Sequence, residues 1–102
     1  MVTVGLVVEL EAKADKTEEL AAFLASALPL AQAEPETTAW FALRTSPTTF
    51  WIVDAFPTDT GRQAHLQGPI AAALMASADE LLARAPRLLP ADVLVSKLPA
   101  ID

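Results

Sequence analysis

The stretch that most constrains the fold of this chain runs from Phe50 to Ile70 and reads FWIVDAFPTDTGRQAHLQGPI. Thr49 to Phe56 is rich in β-branched and aromatic residues, which predicts a strand. Thr60, followed by Gly, Arg and Gln, is typical of a helix start, and we expect this short helix to end near Gln67-Gly68. The helix carries His65, the only histidine in the chain. The stretch therefore predicts a strand, a turn and a helix that bring one imidazole close to a strand end.

Three further strands are expected around this unit. Residues Val2 to Glu11 alternate between two faces, one of them fully apolar, and Gly5 on the other face indicates either a close backbone approach or a bulge. Thr38 to Thr45 should pair with the strand of the opening stretch as a hairpin around Ser46-Pro47-Thr48. Asp92 to Leu98 is the expected last strand.

The helices are predicted from capping residues and apolar stripes. Asp15 has the spacing of an N-cap before a helix with a Leu and Phe stripe, which Pro29 should kink. Pro69 suits the first position of a second helix with Ile70, Leu74 and Met75 on its inner side. Ser77 begins another capping-box spacing, so we expect a break there and a third helix near Glu80 to Arg84.

This order of elements predicts an α+β fold. A strand, a helix, two strands, helices and a last strand close as a ferredoxin-like βαββαβ domain over residues 1–102, with a four-stranded antiparallel sheet and helices on one face. If Thr45 lies opposite Thr49, one face of the hairpin carries Phe41, Leu43, Trp51, Val53 and Ala55, and the other carries Trp40, Ala42, Arg44, Phe50, Ile52, Asp54 and Phe56. We expect the second set to face away from the helices and to pack against a second copy, giving a homodimer.

Composition and charge exclude several classes of function. A net charge of −6 with scattered Lys and Arg opposes binding to nucleic acid, and no apolar run is long enough to cross a membrane. The chain has no cysteine, one histidine and only isolated glycines, so we expect no metal, flavin or haem. These features predict a cytoplasmic protein without a membrane or nucleic-acid partner.

Two short motifs carry a resemblance to a known family. Asp54-Ala55-Phe56, a turn and then Ala64-His65-Leu66-Gln67-Gly68-Pro69 resemble the antibiotic biosynthesis monooxygenase family, and most of all its bacterial quinol monooxygenases. The order of the other elements agrees with that family over nearly the whole chain. There are two departures: Asp54 replaces the commoner Glu, and Glu36 stands where many members have Gly after Glu-Pro. The resemblance implies a dimeric α/β barrel of ferredoxin-like subunits.

The resemblance also implies a reaction. Family enzymes oxidise quinols and anthrones with molecular oxygen and without a metal or flavin. This chain would then be a cofactor-independent monooxygenase whose partners are a small aromatic substrate and oxygen. His65 and Asp54 are the expected catalytic residues, and Arg62 can stabilise an anionic oxygen. The expected pocket walls are Trp51, Phe41, Phe23 and Met75.

Other interpretations stay open at this stage. His65 can equally serve a structural purpose, by capping its helix or by a hydrogen bond to Asp54. The chain can also be a dimeric scaffold or a small-molecule binding module without catalysis. A haem-degrading relative is rejected, because the first strand has no Asn, and His65 and Met75 fall near that group's Trp and His positions.

Overall fold

The structure, a computed structural model, describes residues 1–99; the last three positions of the predicted domain, 100–102, lie outside the described residues. It confirms the ferredoxin-like βαββαβ fold, since four antiparallel strands form one sheet in the order β2-β3-β1-β4. Along the chain the elements are β1 (Val4–Glu11), α1 (Thr17–Ser26), α2 (Leu28–Gln32), β2 (Ala39–Arg44), β3 (Thr49–Phe56), α3 (Asp59–Leu66), α4 (Pro69–Leu81) and β4 (Arg87–Asp92).

The predicted hairpin register is confirmed, but the predicted faces are reversed. The backbone N–H of Thr45 donates to the carbonyl of Thr49 at 3.0 Å, as expected. The helices nevertheless cover the face of Phe50, Ile52 and Phe56, all of which are buried. Within the described chain, the face left without helices carries Phe41, Leu43, Trp51, Val53 and Ala55.

The reversal has its cause in β1. Leu10 and Val8 lie opposite Phe50 and Ile52, so the four side chains share one face of the two central strands. The other face of β1 carries Glu9 and Glu11. A continuous apolar surface on both central strands buries more area under the helices than the mixed face does. The core is completed by Leu20 and Leu24 of α1 and Leu74 and Leu81 of α4.

Two helices begin at residues other than the predicted ones. Lys16 occupies the N-cap of α1, one residue after the predicted Asp15. The cap of α3 is Thr58, whose hydroxyl accepts a hydrogen bond from the Gly61 N–H at 3.3 Å. A hydroxyl acceptor at this place satisfies one of the free N–H groups of the first turn, which explains why α3 begins two residues earlier than Thr60 would require.

Three predictions about element ends are wrong. Pro29 does not kink one long helix; it lies in the first turn of the separate helix α2, where its missing N–H costs nothing. Helix α4 continues through Ser77 to Leu81, because Ile70, Leu74 and Leu81 keep one buried stripe along it. The last strand is Arg87–Asp92 rather than Asp92 to Leu98.

Gly5 marks a close backbone approach rather than a bulge. It pairs in continuous register with Ala55 on one side and Ala91 on the other. A Cβ atom at this position would lie 2.9 Å from the carbonyl oxygen of Asp54. Glycine therefore lets the two central strands approach each other beside Asp54.

Among residues 1–99, no helix has both the length and the apolarity to cross a membrane.

Candidate functional site

The site is built around His65, in the last turn of α3. The side chain is 6% exposed and lies over β3, where its ring centroid is 5.3 Å from that of Phe56. Helix α3 is also held in place by Arg62, whose guanidinium donates to the carbonyls of Gly5 at 3.1 Å and Ala91 at 3.2 Å. An ion pair with Asp59 at 2.9 Å completes the contacts of Arg62. The guanidinium thus joins α3 to the β1–β4 pair.

Both ring nitrogens of His65 face carboxylates. Nδ1 lies 2.6 Å from Oε1 of Glu34, and Nε2 lies 3.0 Å from Oδ2 of Asp54. The side chain of Asp54 is fully buried, and within the described chain neither of its oxygens accepts a well-aligned hydrogen bond. The contact with Asp54 is therefore a close charge pair, whereas that with Glu34 is a short hydrogen bond. The three residues connect α3, β3 and the α2–β2 loop.

The charges of this cluster depend on one another. Burial raises the pKa of Asp54 above its usual value, and the nearby His65 only partly opposes that rise. Burial alone would lower the pKa of His65, but its contacts with Asp54 and Glu34 outweigh burial and raise that pKa. With His65 protonated and both carboxylates ionised, the cluster carries a net charge of −1. A buried net negative charge favours the uptake of one more proton.

Glu34 is the residue that sequence reasoning missed. Besides His65, its Oε1 accepts a hydrogen bond from the hydroxyl of Thr37 at 2.8 Å. Its Oε2 is buried close to Gly68, where an added Cβ would lie 3.3 Å from that oxygen. In the sequence, Glu34 precedes Pro35 and reads only as the end of a helix. The available signal was the Glu-Pro pair itself, which belongs to the family resemblance but carries no indication of its partner.

A second unpaired polar group lies beside Asp54. Trp40 is directly opposite Asp54 in the β2–β3 register, so the two side chains are neighbours on the helix-covered face. The indole N–H of Trp40 is buried and has no hydrogen-bond partner among the described residues. A donor and an acceptor without partners on adjacent strands form a place where a polar group or a water can be bound.

An apolar cleft of about 370 Å³ lies beside His65 and Glu34. It opens between the α2–β2 loop and the junction of α3 with α4, and this volume is near the lower limit for small-molecule sites. The lining residues are Leu30, Ala33, Glu34, Pro35, Glu36, Thr37, Gly61, Ala64, His65, Gly68 and Pro69.

The four predicted wall residues are not brought to this cleft. Trp51 and Phe41 lie on the uncovered face of the sheet, and the Trp51 indole donates to Thr45 Oγ1 at 2.8 Å. Phe23 packs at the margin of the core under α1, and Met75 is 63% exposed on α4. The sheet separates Trp51 and Phe41 from His65, because neighbouring residues of a strand point to opposite faces. Of the predicted site residues, the structure brings His65 and Asp54 together.

Arg62 is placed near the cluster in sequence but is engaged elsewhere. Its donors are directed to two backbone carbonyls and to Asp59, as described above.

In residues 1–99, no group of three or more His, Cys, Asp or Glu side chains has the arrangement of a metal site. The cluster presents carboxylates on two sides of one imidazole, and this arrangement suits proton transfer.

Comparison with solved structures identifies a close relative and further structures with the same fold. The NE2512 protein of Nitrosomonas europaea, a protein of unknown function, matches at 56% sequence identity with a TM-score of 0.97, over 98% of this chain and 97% of that one. A second Nitrosomonas europaea protein, described as a proposed antibiotic biosynthesis monooxygenase, matches at 19% identity and a TM-score of 0.82, over 90% of this chain and 99% of that one.

A further structure, of an antibiotic biosynthesis monooxygenase, has 11% identity and a TM-score of 0.78, over 90% of this chain and 99% of that one. The resemblance predicted from the two short motifs is thus confirmed at the level of the fold. No protein-family model and no curated protein matches the chain.

Proposed function

The chain belongs to the same family as the NE2512 protein of Nitrosomonas europaea and shares the fold of antibiotic biosynthesis monooxygenases, and from this premise we propose that it is a cofactor-independent monooxygenase. Its substrate would be an electron-rich aromatic of the quinol or anthrone type, and its oxidant molecular oxygen. The observation that carries the proposal is the buried Glu34–His65–Asp54 cluster beside an apolar cleft.

The cluster can act as the proton acceptor for such a substrate. Glu34 and His65 line the cleft, and the fully buried Asp54 lies behind His65. A phenol or anthrone bound there would lose its proton to a cluster that carries a net charge of −1 and is surrounded by apolar groups. Asp54 stabilises the protonated imidazole from one side, and Glu34, which lies at the other ring nitrogen and lines the cleft, takes up the substrate proton on its carboxylate. His65 and Glu34 are therefore the proposed catalytic residues, with Asp54 as the positioning residue.

The remaining steps are carried by the substrate and oxygen. In an anthrone, the deprotonated CH₂ carbon passes one electron to oxygen, and the substrate radical and superoxide combine through a new C–O bond. The cluster returns the first proton to the peroxide anion formed in this way, which gives a hydroperoxide. The second C–H proton then passes to the cluster while the O–O bond breaks. The departing hydroxide takes that proton and leaves as water, and the carbon becomes a carbonyl. One oxygen atom enters the product, and the substrate supplies all the electrons.

We propose further that the protein acts in the cytoplasm as a homodimer. The uncovered face of the sheet carries large apolar side chains, among which Phe41 is 54% exposed and Leu43 is 46% exposed. Trp51 and Val53 extend this surface along β3. A contiguous apolar patch of this kind favours association, since each Å² removed from water contributes about 25 cal/mol. A second copy packed sheet to sheet would cover it.

A non-catalytic binding module is the second candidate. One observation favours it: both nitrogens of His65 already face carboxylates, so the imidazole can also serve only to hold three elements together. In that case the cleft would still bind a small aromatic, but oxygen would not change the bound molecule.

Oxygen uptake with a panel of quinols and anthrones tests the proposal. Wild type should consume oxygen above the spontaneous rate, and Glu34→Gln should lower the rate by at least about tenfold, since general bases typically contribute 10²–10⁴-fold. Glu34 is partly exposed, so the neutral amide should leave the fold intact, which melting curves check. Glu80→Gln, an exposed change at the far end of α4, is the charge-matched control. Wild type without uptake on any member of the panel would remove the monooxygenase proposal.

A further inference from the structure

The mouth of the cleft carries a carboxylate at an unusual place. Glu36 is exposed and packs against the first turns of α3, where a Cβ added to Gly61 would lie 3.0 Å from the Glu36 Cβ and 3.5 Å from its Oε1. Because Gly61 has no side chain, Glu36 lies directly over the helix and forms part of the cleft wall. This position is also one of the two departures from the family that the sequence resembles, in which many members have Gly after Glu-Pro.

The net charge around the cleft is negative, and the nearby positive charge of Arg62 is neutralised by its ion pair. The cluster at its base combines two carboxylates with one imidazole, so its net charge is −1 even when His65 is protonated. Glu36 adds a second negative charge at the mouth. Arg62 is on the same helix, but its guanidinium is bound to Asp59 and two carbonyls. No Lys or Arg of the described residues lines the cleft, and apolar walls reduce the screening of the carboxylates by solvent.

We propose that Glu36 is a specificity-determining residue, which restricts the cleft to uncharged phenolic substrates and rejects aromatic acids. This inference rests on the proposed function of the site. The cleft volume of about 370 Å³ sets the size of the ligand. A ligand carboxylate brought within roughly 7 Å of Glu36 would lose about tenfold in affinity at the partly screened mouth of the cleft.

Anaerobic calorimetry with two matched probes tests the inference. The probes are 1-naphthol and 5-hydroxy-1-naphthoic acid, which share the rings and the hydroxyl and differ by one carboxylate. Wild type should bind the acid at least about tenfold more weakly than the naphthol. Glu36→Gln should reduce this ratio by about threefold or more, because it removes the charge and keeps the side chain over Gly61. Glu80→Gln changes the net charge equally but far from the cleft, and the ratio should stay at its wild-type value.

A blocking variant shows whether the probes occupy this cleft. Ala64 is an exposed lining residue on α3, and Ala64→Trp should fill the cleft and weaken the binding of both probes. Ala64→Leu is a smaller alternative if circular dichroism shows that the tryptophan disturbs the fold.

The outcomes separate this inference from the proposed function. The inference is overturned if wild type binds both probes with equal affinity or does not detectably bind 1-naphthol. It is also overturned if the affinity ratio is the same in Glu36→Gln and wild type, or if folded Ala64 variants bind the probes as wild type does. If the ratio responds to Glu36→Gln but wild type consumes no oxygen with 1,4-dihydroxynaphthalene, the selectivity stands and the monooxygenase proposal loses its support. If wild type consumes oxygen equally fast with 1,4-dihydroxynaphthalene and with a ring-carboxylated form of the same quinol, the selectivity is overturned and the monooxygenase proposal stands.

Discussion

Replacing His65 by Gln should destabilise the fold, because it leaves the buried carboxylate of Asp54 without a positive partner. Breaking a buried ion pair by removing one member typically costs about 3–5 kcal/mol. The cost has an upper limit here, since Asp54 can take up a proton instead. From an ordinary Asp pKa of about 3.9, protonation at pH 7 costs about 4 kcal/mol, at 1.36 kcal/mol for each pH unit. We therefore expect a loss of about 3–4 kcal/mol at pH 7.

The same reasoning predicts how the loss changes with pH and with a second substitution. At pH 5 the cost of protonating Asp54 falls to about 1.5 kcal/mol, so the penalty of His65→Gln should shrink accordingly. The double variant His65→Gln/Asp54→Asn has no buried charge at the strand, and it should recover at least about 2 kcal/mol relative to His65→Gln alone.

Urea unfolding of wild type, both single variants and the double variant at pH 7 and pH 5 measures these values, with the slope m serving as the check that each transition stays two-state. A penalty below about 1 kcal/mol, equal penalties at the two pH values, or additive single changes would refute the ion-pair interpretation of the cluster.

Three further predictions follow from particular residues. Val53→Asp should yield folded monomers in light scattering, whereas Ile52→Asp on the covered face should abolish cooperative unfolding; the opposite pattern would contradict the observed faces. Wild-type stability should fall as pH rises from about 6.5 through the raised pKa of His65, because the folded state binds more protons than the unfolded state, and urea midpoints that rise over this window would contradict the charge pair. Gly5→Ala should cost about 1–3 kcal/mol, because the new Cβ would meet the Asp54 carbonyl at 2.9 Å, and an unchanged melting temperature would show that the strands can separate there.

The sequence by itself was sufficient for β1, for the β2–β3 hairpin and for the unit around His65. A run of β-branched and aromatic residues gives the bounds of β3, and the short turn of the hairpin places Thr45 opposite Thr49 without help from the rest of the fold. The Asp54–His65 pair was also within reach, since a strand end and the following helix are joined by few residues. These features are local, and local geometry determines them.

Tertiary structure alone decided which face of the sheet is covered and which residue completes the site. Both faces of the hairpin are apolar, so its own pattern is equally compatible with helices on either side. Only the pairing of β1 with β3 adds Val8 and Leu10 to the face of Ile52 and so makes that face the core.

The contact of Glu34 with His65 joins residues 31 positions apart. It depends on how the α2–β2 loop and the end of α3 meet once α3 has packed on the sheet. The residues on either side of Glu34 therefore do not predict this contact, because the distance between the two side chains is set by the packing of other elements.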